Sequence, residues 1–265
     1  MTHSLHFEVH GPRDETTPVV LLSSGLGGSA NYWRPQMGAL REQGFQVIVY
    51  DQRGTGRSPA TLPDNHTIGA MASDVIDVME ATGVASCHFV GHALGGLVGM
   101  QLALDAPERL NSLTLINAWP AMRSATRRCF DTRLQLLDHA GVRPYVEAQP
   151  IFLYPATWIE EHPAQVETEV EHAIHGFPPI SNMRRRIAAL KAFDATEQLS
   201  SITVPTLVVA AQDDVLVPSS ASHALCAGLP AATLHMMAHG GHACNITCPD
   251  AFNCTLLDFL AGLRC

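Results

Sequence analysis

Short apolar runs alternating with helical stretches narrow the folds open to this chain more than any other feature. LHFEV (5–9) alternates as a half-buried strand does. PVVLLSS (18–24), FQVIVYD (45–51), SCHFV (86–90), LNSLTLINA (110–118), VPTLVVAAQDD (204–214) and TLHMM (233–237) read as further strands. Between them, residues 30–44, 68–83, 94–106, 219–229 and 249–263 carry apolar residues at helical spacing, the first stretch closed by Gly44. Strand and helix in alternation require crossover connections, which build a mostly parallel sheet with helices on its faces. The expected class is therefore α/β. The alternation stops between residues 119 and 199, where RSATRRCF, HGFPPI and SNMRRRIAALKAF have helical spacing and no convincing strand. That span reads as a helical cap inserted into a core made of residues 1–118 and 200–265.

Composition limits the function classes. At 265 residues, 46% of them hydrophobic and 15% charged, the chain has enough apolar surface for one substantial core. Its formal net charge of −9 argues against a nucleic-acid partner, which needs clustered Lys and Arg, and Lys191 is the single lysine. The first residues, MTHSLHFEVHGPRDE, lack the basic and apolar blocks of a signal peptide. No apolar stretch approaches the roughly 20 residues that span a bilayer, so no membrane is expected. Seven cysteines, an odd number, fit reduced thiols in a cytoplasmic protein better than a disulfide framework.

Four strand-to-helix loops, SSGLGGS, GHALGG, AQDDVLVP and HGGHACN, gather at the carboxyl edge of such a sheet, where ligands bind. In FVGHALGGL (89–97) an apolar strand runs through Gly-x-x-x-Gly into a helix, the form of a nucleophile elbow. Its central residue is Ala93, which has no hydroxyl. The chain order of elbow, acid and histidine is that of the α/β-hydrolases. Asp214, four residues before Pro218, takes the acid position with Asp213 as its adjacent rival, and His242 in GGHA takes the base position. The backbone N–H groups of Leu26 and Leu94 take the oxyanion-hole positions. Ser24 stands where many such enzymes carry histidine. His92, at the variable position of the elbow, is assigned to packing. His239, His242, Cys244 and Cys248 match no zinc spacing, so neither metal nor other cofactor is expected.

GHALGGLVGMQLALDAPE, the cap strings TRRCF, VEAQPIFLYPATW and RIAALKAFD, and the ending GGHACNITCPDAFN carry a closer resemblance. Together they resemble the RutD family, carbamate or aminoacrylate hydrolases of the Rut pyrimidine-degradation pathway. The likeness runs over nearly the full chain and includes the cap, and alanine at the elbow belongs to the family's pattern. It implies hydrolysis of a small, labile C–N compound with release of ammonia, by a His242–Asp214 dyad without a serine. The implied partner is a small-molecule substrate, and a homodimer is compatible with it. Arg127 and Arg128 in TRRCF are either anchors for a substrate carboxylate or part of a solvated helix face. The run 184–186 reads as a solvated face. Two other classes stay open: a cofactor-free oxygenase of the same fold, which needs a roomy aromatic pocket, and a non-catalytic ligand-binding relative.

Overall fold

The computed structural model describes residues 5–12, 14 and 16–263. Residues 1–4 and 264–265, at the ends of the two expected core segments, lie outside the described residues. The strands are β1 (Phe7–His10), β2 (Val19–Ser23), β3 (Gln46–Tyr50), β4 (Cys87–His92), β5 (Leu110–Ile116), β6 (Thr206–Ala211) and β7 (Ala232–Met237). They form one sheet in the order β1-β3-β2-β4-β5-β6-β7, with β1 antiparallel to β3 and every other pair parallel. The class read from the alternation is the class observed.

Both faces of the sheet are covered, so its central strands are apolar throughout instead of alternating with polar residues. Leu21, Ile48, Phe89, Leu115 and Val208 face one layer, formed with α2 (Ile68–Thr82) and α3 (Leu94–Asp105). Val20, Leu22, Val47, Val49, Val90, Ile116 and Val209 face the other, with α1 (Arg34–Glu42) and α12 (Pro249–Gly262). Each such Val, Leu or Ile removed from water stabilises the fold by about 1.5–3 kcal/mol. Local signals set the helix limits. The Thr67 hydroxyl accepts the Ala70 N–H at 3.1 Å to start α2, and Gly83, at φ 72°, ends it in the left-handed region. The stretch at 30–44 departs from the helix expected across it. Residues Ala30–Trp33 form a 3-10 turn, and the α-helix begins at Arg34, because Pro35 has no N–H to carry α-helical bonding back over that turn.

Between β5 and β6 lie α4 (Ser124–His139), α5 (Val142–Glu147), α6 (Gln149–Leu153), α7 (Ala156–Glu161), α8 (Pro163–His175) and α9 (Ile180–Ala192). The two ends of this insertion are tied at its base, where Ala121 bridges Asp194 and the Ala195 N–H donates to the Pro120 carbonyl at 2.9 Å. After β6, α10 (Ser220–Gly228) leads to β7, and α11 (Cys244–Thr247) follows the loop that holds His242. Among the described residues no helix is long and apolar enough to cross a membrane.

Candidate active site

At the end of β4 the chain turns through Ala93 into α3, and Ala93 sits at φ 48°, ψ −110°. That conformation is unfavourable for a residue with a β-carbon, and is held only where the surroundings fix it. Here they do. The Ala93 N–H donates to the Ile116 carbonyl at 2.8 Å, and its own carbonyl accepts from Gly96 and Leu97 at 2.9 and 3.1 Å. The turn also brings α3 hard against β2: a β-carbon on Gly95 would land on the Ser23 carbonyl oxygen. The elbow is thus a complete, strained elbow that presents a methyl group.

His242 Nδ1 lies 2.8 Å from Asp214 Oδ2, with both side chains buried. Asp214 Oδ1 accepts the Leu216 and Val217 N–H groups, each at 2.8 Å, so the carboxylate is fixed by its own loop. A carboxylate accepts, so Nδ1 carries the proton and Nε2 keeps the basic lone pair. Asp213 points elsewhere and accepts from the Gly240 and Gly241 N–H groups at 3.2 and 2.9 Å, bracing the histidine loop from behind. Asn117, just past β5 and at φ 46°, adds a third brace. Its Nδ2 donates to the His242 carbonyl at 2.8 Å, and its Oδ1 accepts from the Ala211 N–H at 3.2 Å, joining the ends of β5 and β6 to the histidine loop.

The glycine-rich loop after β2 is held just as closely. Gln52 Nε2 donates to the Ser24 carbonyl at 2.8 Å. Arg186 of α9 donates through Nε and Nη2 to the Leu26 carbonyl at 3.2 and 2.9 Å, and through Nη2 to Gln52 Oε1. This corrects the reading of 184–186 as a solvated run: Arg186 is fully buried. It falls on the stripe of Met183, Ile187 and Leu190 that α9 turns inward, whereas Arg184 and Arg185 pair with the exposed-side carboxylates of Asp138 and Asp64. Burial pushes the Arg186 guanidinium down to about 10.

These pieces meet at a cavity of about 140 Å³. Ser24, Leu26, Tyr32, His92, Ala93, Leu94 and His242 form its core wall, and Phe130, Arg133, Gln149, Leu153, Met183 and Leu190 of the insertion form the other. Leu94 opens α3, where backbone N–H groups have no partner within the helix and the helix dipole favours an anion. His92 stacks on Tyr32 at 4.9 Å between centroids, and its Nε2 donates to the His242 carbonyl at 2.8 Å. Burial, reinforced by the neighbouring His242, holds its pKa down at about 3. Arg127 and Arg128 are exposed and do not line the cavity. Arg133, two turns into the same helix, does line it. Arg133 lies on the buried stripe Thr126–Phe130–Arg133–Leu137, and that spacing is the sequence signal that separates it from its neighbours. Among the described residues no group of three or more His, Cys, Asp or Glu is placed to hold a metal ion.

A mostly parallel sheet with elbow, acid and histidine loops at its carboxyl edge defines an α/β-hydrolase, here with alanine at the nucleophile position. The family model for the alpha/beta hydrolase fold matches residues 18–141. Among solved structures the chain is similar to a hydrolase from Pseudomonas aeruginosa PA01, with 28% identity and a TM-score of 0.86 over 97% of this chain and 94% of that one. It is also similar to the enol-lactonase of Burkholderia xenovorans LB400, with 26% identity and a TM-score of 0.88 over 97% and 96%. Two further relatives are RutD proteins named for carbamate hydrolysis. One, from Variovorax paradoxus (strain S110), is 59% identical over 97% of this chain and 96% of its own length. The other, from Agrobacterium fabrum, is 48% identical over 97% and 98%. The chain belongs to the RutD family.

Proposed function

We propose that this protein accelerates the hydrolysis of a small, labile C–N compound, carbamate or 3-aminoacrylate, by proton transfer through His242 and without a covalent intermediate. The observation that carries this reading is the elbow itself. Its strain is of the order of 1–3 kcal/mol, yet it holds no nucleophile, and what it still delivers is the Leu94 N–H and a gap beside His242. Loss of the nucleophile alone costs about 10⁶ in a serine hydrolase, so efficient ester or amide cleavage is excluded. A His–Asp dyad contributes about 10²–10⁴ as general acid and base, and one oxyanion donor about 3 kcal/mol. That suits a reaction already feasible in water.

With 3-aminoacrylate, the His242 imidazolium protonates the α-carbon of the enamine to give the iminium. Neutral His242 then takes a proton from water as its oxygen adds to the iminium carbon. Return of that proton to nitrogen expels ammonia as the hydroxyl of the adduct gives its own proton to His242, which leaves malonic semialdehyde and restores the imidazolium. With carbamate, His242 delivers a proton to nitrogen as the C–N bond breaks to ammonia and carbon dioxide. Asp214 orients the ring and stabilises its charged form, while the Leu26 and Leu94 N–H groups hold the carboxylate of carbamate or the oxygen of the water that adds to the iminium carbon.

The small cavity supports a substrate of a few heavy atoms, well below the roughly 300–1,000 Å³ of drug-sized sites. The same size weighs against the oxygenase reading, which needs room for an aromatic ring system. The test is ammonia release from carbamate or 3-aminoacrylate generated in place, with purified protein against buffer. Acceleration is expected for one of the two, and buffer-level release for both would leave a binding role.

A further inference from the structure

Four buried side-chain polar atoms in residues that line the cavity have no hydrogen-bond partner among the described residues: Ser24 Oγ, His92 Nδ1, Trp119 Nε1 and Arg133 Nε. Two of them flank one ring. Trp119 lies 6.3 Å from Phe130 between centroids, and the Arg133 guanidinium lies 5.4 Å from the same Phe130 centroid. Arg133 is 3% exposed. Its Nη2 donates to Tyr145 Oη and Gln149 Oε1 at 2.9 and 3.3 Å, both neutral acceptors, and the rings of Tyr145 and Phe152 complete its surroundings. Among the described residues no carboxylate pairs with it. Taking a guanidinium out of water is unfavourable unless a counter-charge accompanies it. Neutral acceptors and ring faces recover part of that cost and leave the charge itself unmatched.

We propose that Arg133, whose guanidinium packs on the same Phe130 ring as Trp119, is an anion-binding subsite that takes a carboxylate the ligand carries apart from its reacting carbon. The subsite lies on the wall built by the insertion, whereas the Leu26 and Leu94 donors lie on the core wall. A ligand therefore spans two poles, its carboxylate under Arg133 and its reacting atoms at His242. This rests on the proposed function only in taking His242 as the reacting end. A molecule whose carboxylate is itself the reacting group, as in carbamate, leaves the Arg133 pole unused. A carboxylate joined to the reacting carbon through a further carbon fills both poles.

Propionate and propionamide, close in shape and unreactive, separate charge from size and need no turnover. By isothermal titration calorimetry the wild-type protein is expected to bind propionate about 10- to 100-fold more tightly than propionamide, the range for a charge-assisted hydrogen bond. Arg133→Met should abolish that preference, and Arg133→Lys should keep part of it. His242→Ala should retain it, which separates this subsite from the hydrolytic reading. Equal binding of the two probes by wild type, or binding of neither, overturns the proposal even if Arg133→Met fails to fold. Preference for propionate that survives Arg133→Met also overturns it.

Discussion

Restoring a hydroxyl at the elbow asks whether the rest of a hydrolytic site is intact. Ala93→Ser adds one atom to a β-carbon already held at φ 48°, so it introduces no new backbone strain. Position 93 is 5% exposed. A hydroxyl buried there without a partner would cost about 1–3 kcal/mol, and donation to His242 Nε2, free because Nδ1 serves Asp214, offsets most of that. At about 2–4 °C per kcal/mol for a chain of this size, Tm should stay within roughly 4 °C of wild type. The nucleophile is worth about 10⁶ in a site adapted to it, and an offset of 1 Å removes about 10². Turnover of p-nitrophenyl acetate should therefore rise about 10²- to 10⁴-fold over the parent, with fluorophosphonate labelling of residue 93 seen by mass spectrometry. A variant that folds with the parent's Tm yet shows neither turnover nor labelling would refute an elbow aligned with His242.

Other perturbations test the supports of the site and the buried histidines. Arg186→Met leaves the Leu26 carbonyl and Gln52 Oε1 without their guanidinium donor. Two orphaned acceptors cost about 2–6 kcal/mol, partly offset by removing a buried cation. A lower Tm and at least about tenfold slower ammonia release are expected, and an unchanged rate would show that the loop stands without Arg186. His66 and His92 have pKa values pushed down by burial to about 4 and about 3. Between those values and 6.5 the unfolded chain binds protons that the folded one does not, so their stabilisation is complete above pH 6.5 and declines as the pH falls toward 4. Thermal unfolding stepped across that window should show the decline, less steeply in His66→Gln, and a flat wild-type profile would contradict it.

The sheet was legible because its strands are buried on both faces. Runs such as PVVLLSS and TLVVAA then stand out from the helices between them, and the order of loops at the carboxyl edge follows from parallel crossovers. Asp214, His242, Ala93, Leu26 and Leu94 could be located by their places in those loops. The arginines were harder, because charge alone does not distinguish a solvated side chain from a buried one. Arg127 and Arg128 drew attention as a pair, yet Arg133 lies on the stripe with Phe130 and Leu137. In the same way Arg186 shares a stripe with Met183 and Leu190, and Arg184 and Arg185 do not. Reading the phase of the apolar stripe, and asking which charges fall on it, separates the two kinds. Asn117 gave only a faint signal: an asparagine closing an apolar strand is a residue able to take φ 46°. Its links to the histidine loop and to Ala211 connect residues about 100 positions apart, which no local pattern reveals.

The central claim is that His242, oriented by Asp214, moves the proton. Its most direct test is single-turnover ammonia release from substrate generated in place, with the spontaneous rate subtracted, for wild type, His242→Ala and Asp214→Asn. His242→Ala should lose about 10²–10⁴ of the enzymatic increment while keeping its fold by circular dichroism. Asp214→Asn should fall between the two, since the ring loses both its orientation and the stabilisation of its charged form. A wild-type rate above buffer that His242→Ala fully retains would contradict proton transfer by the dyad.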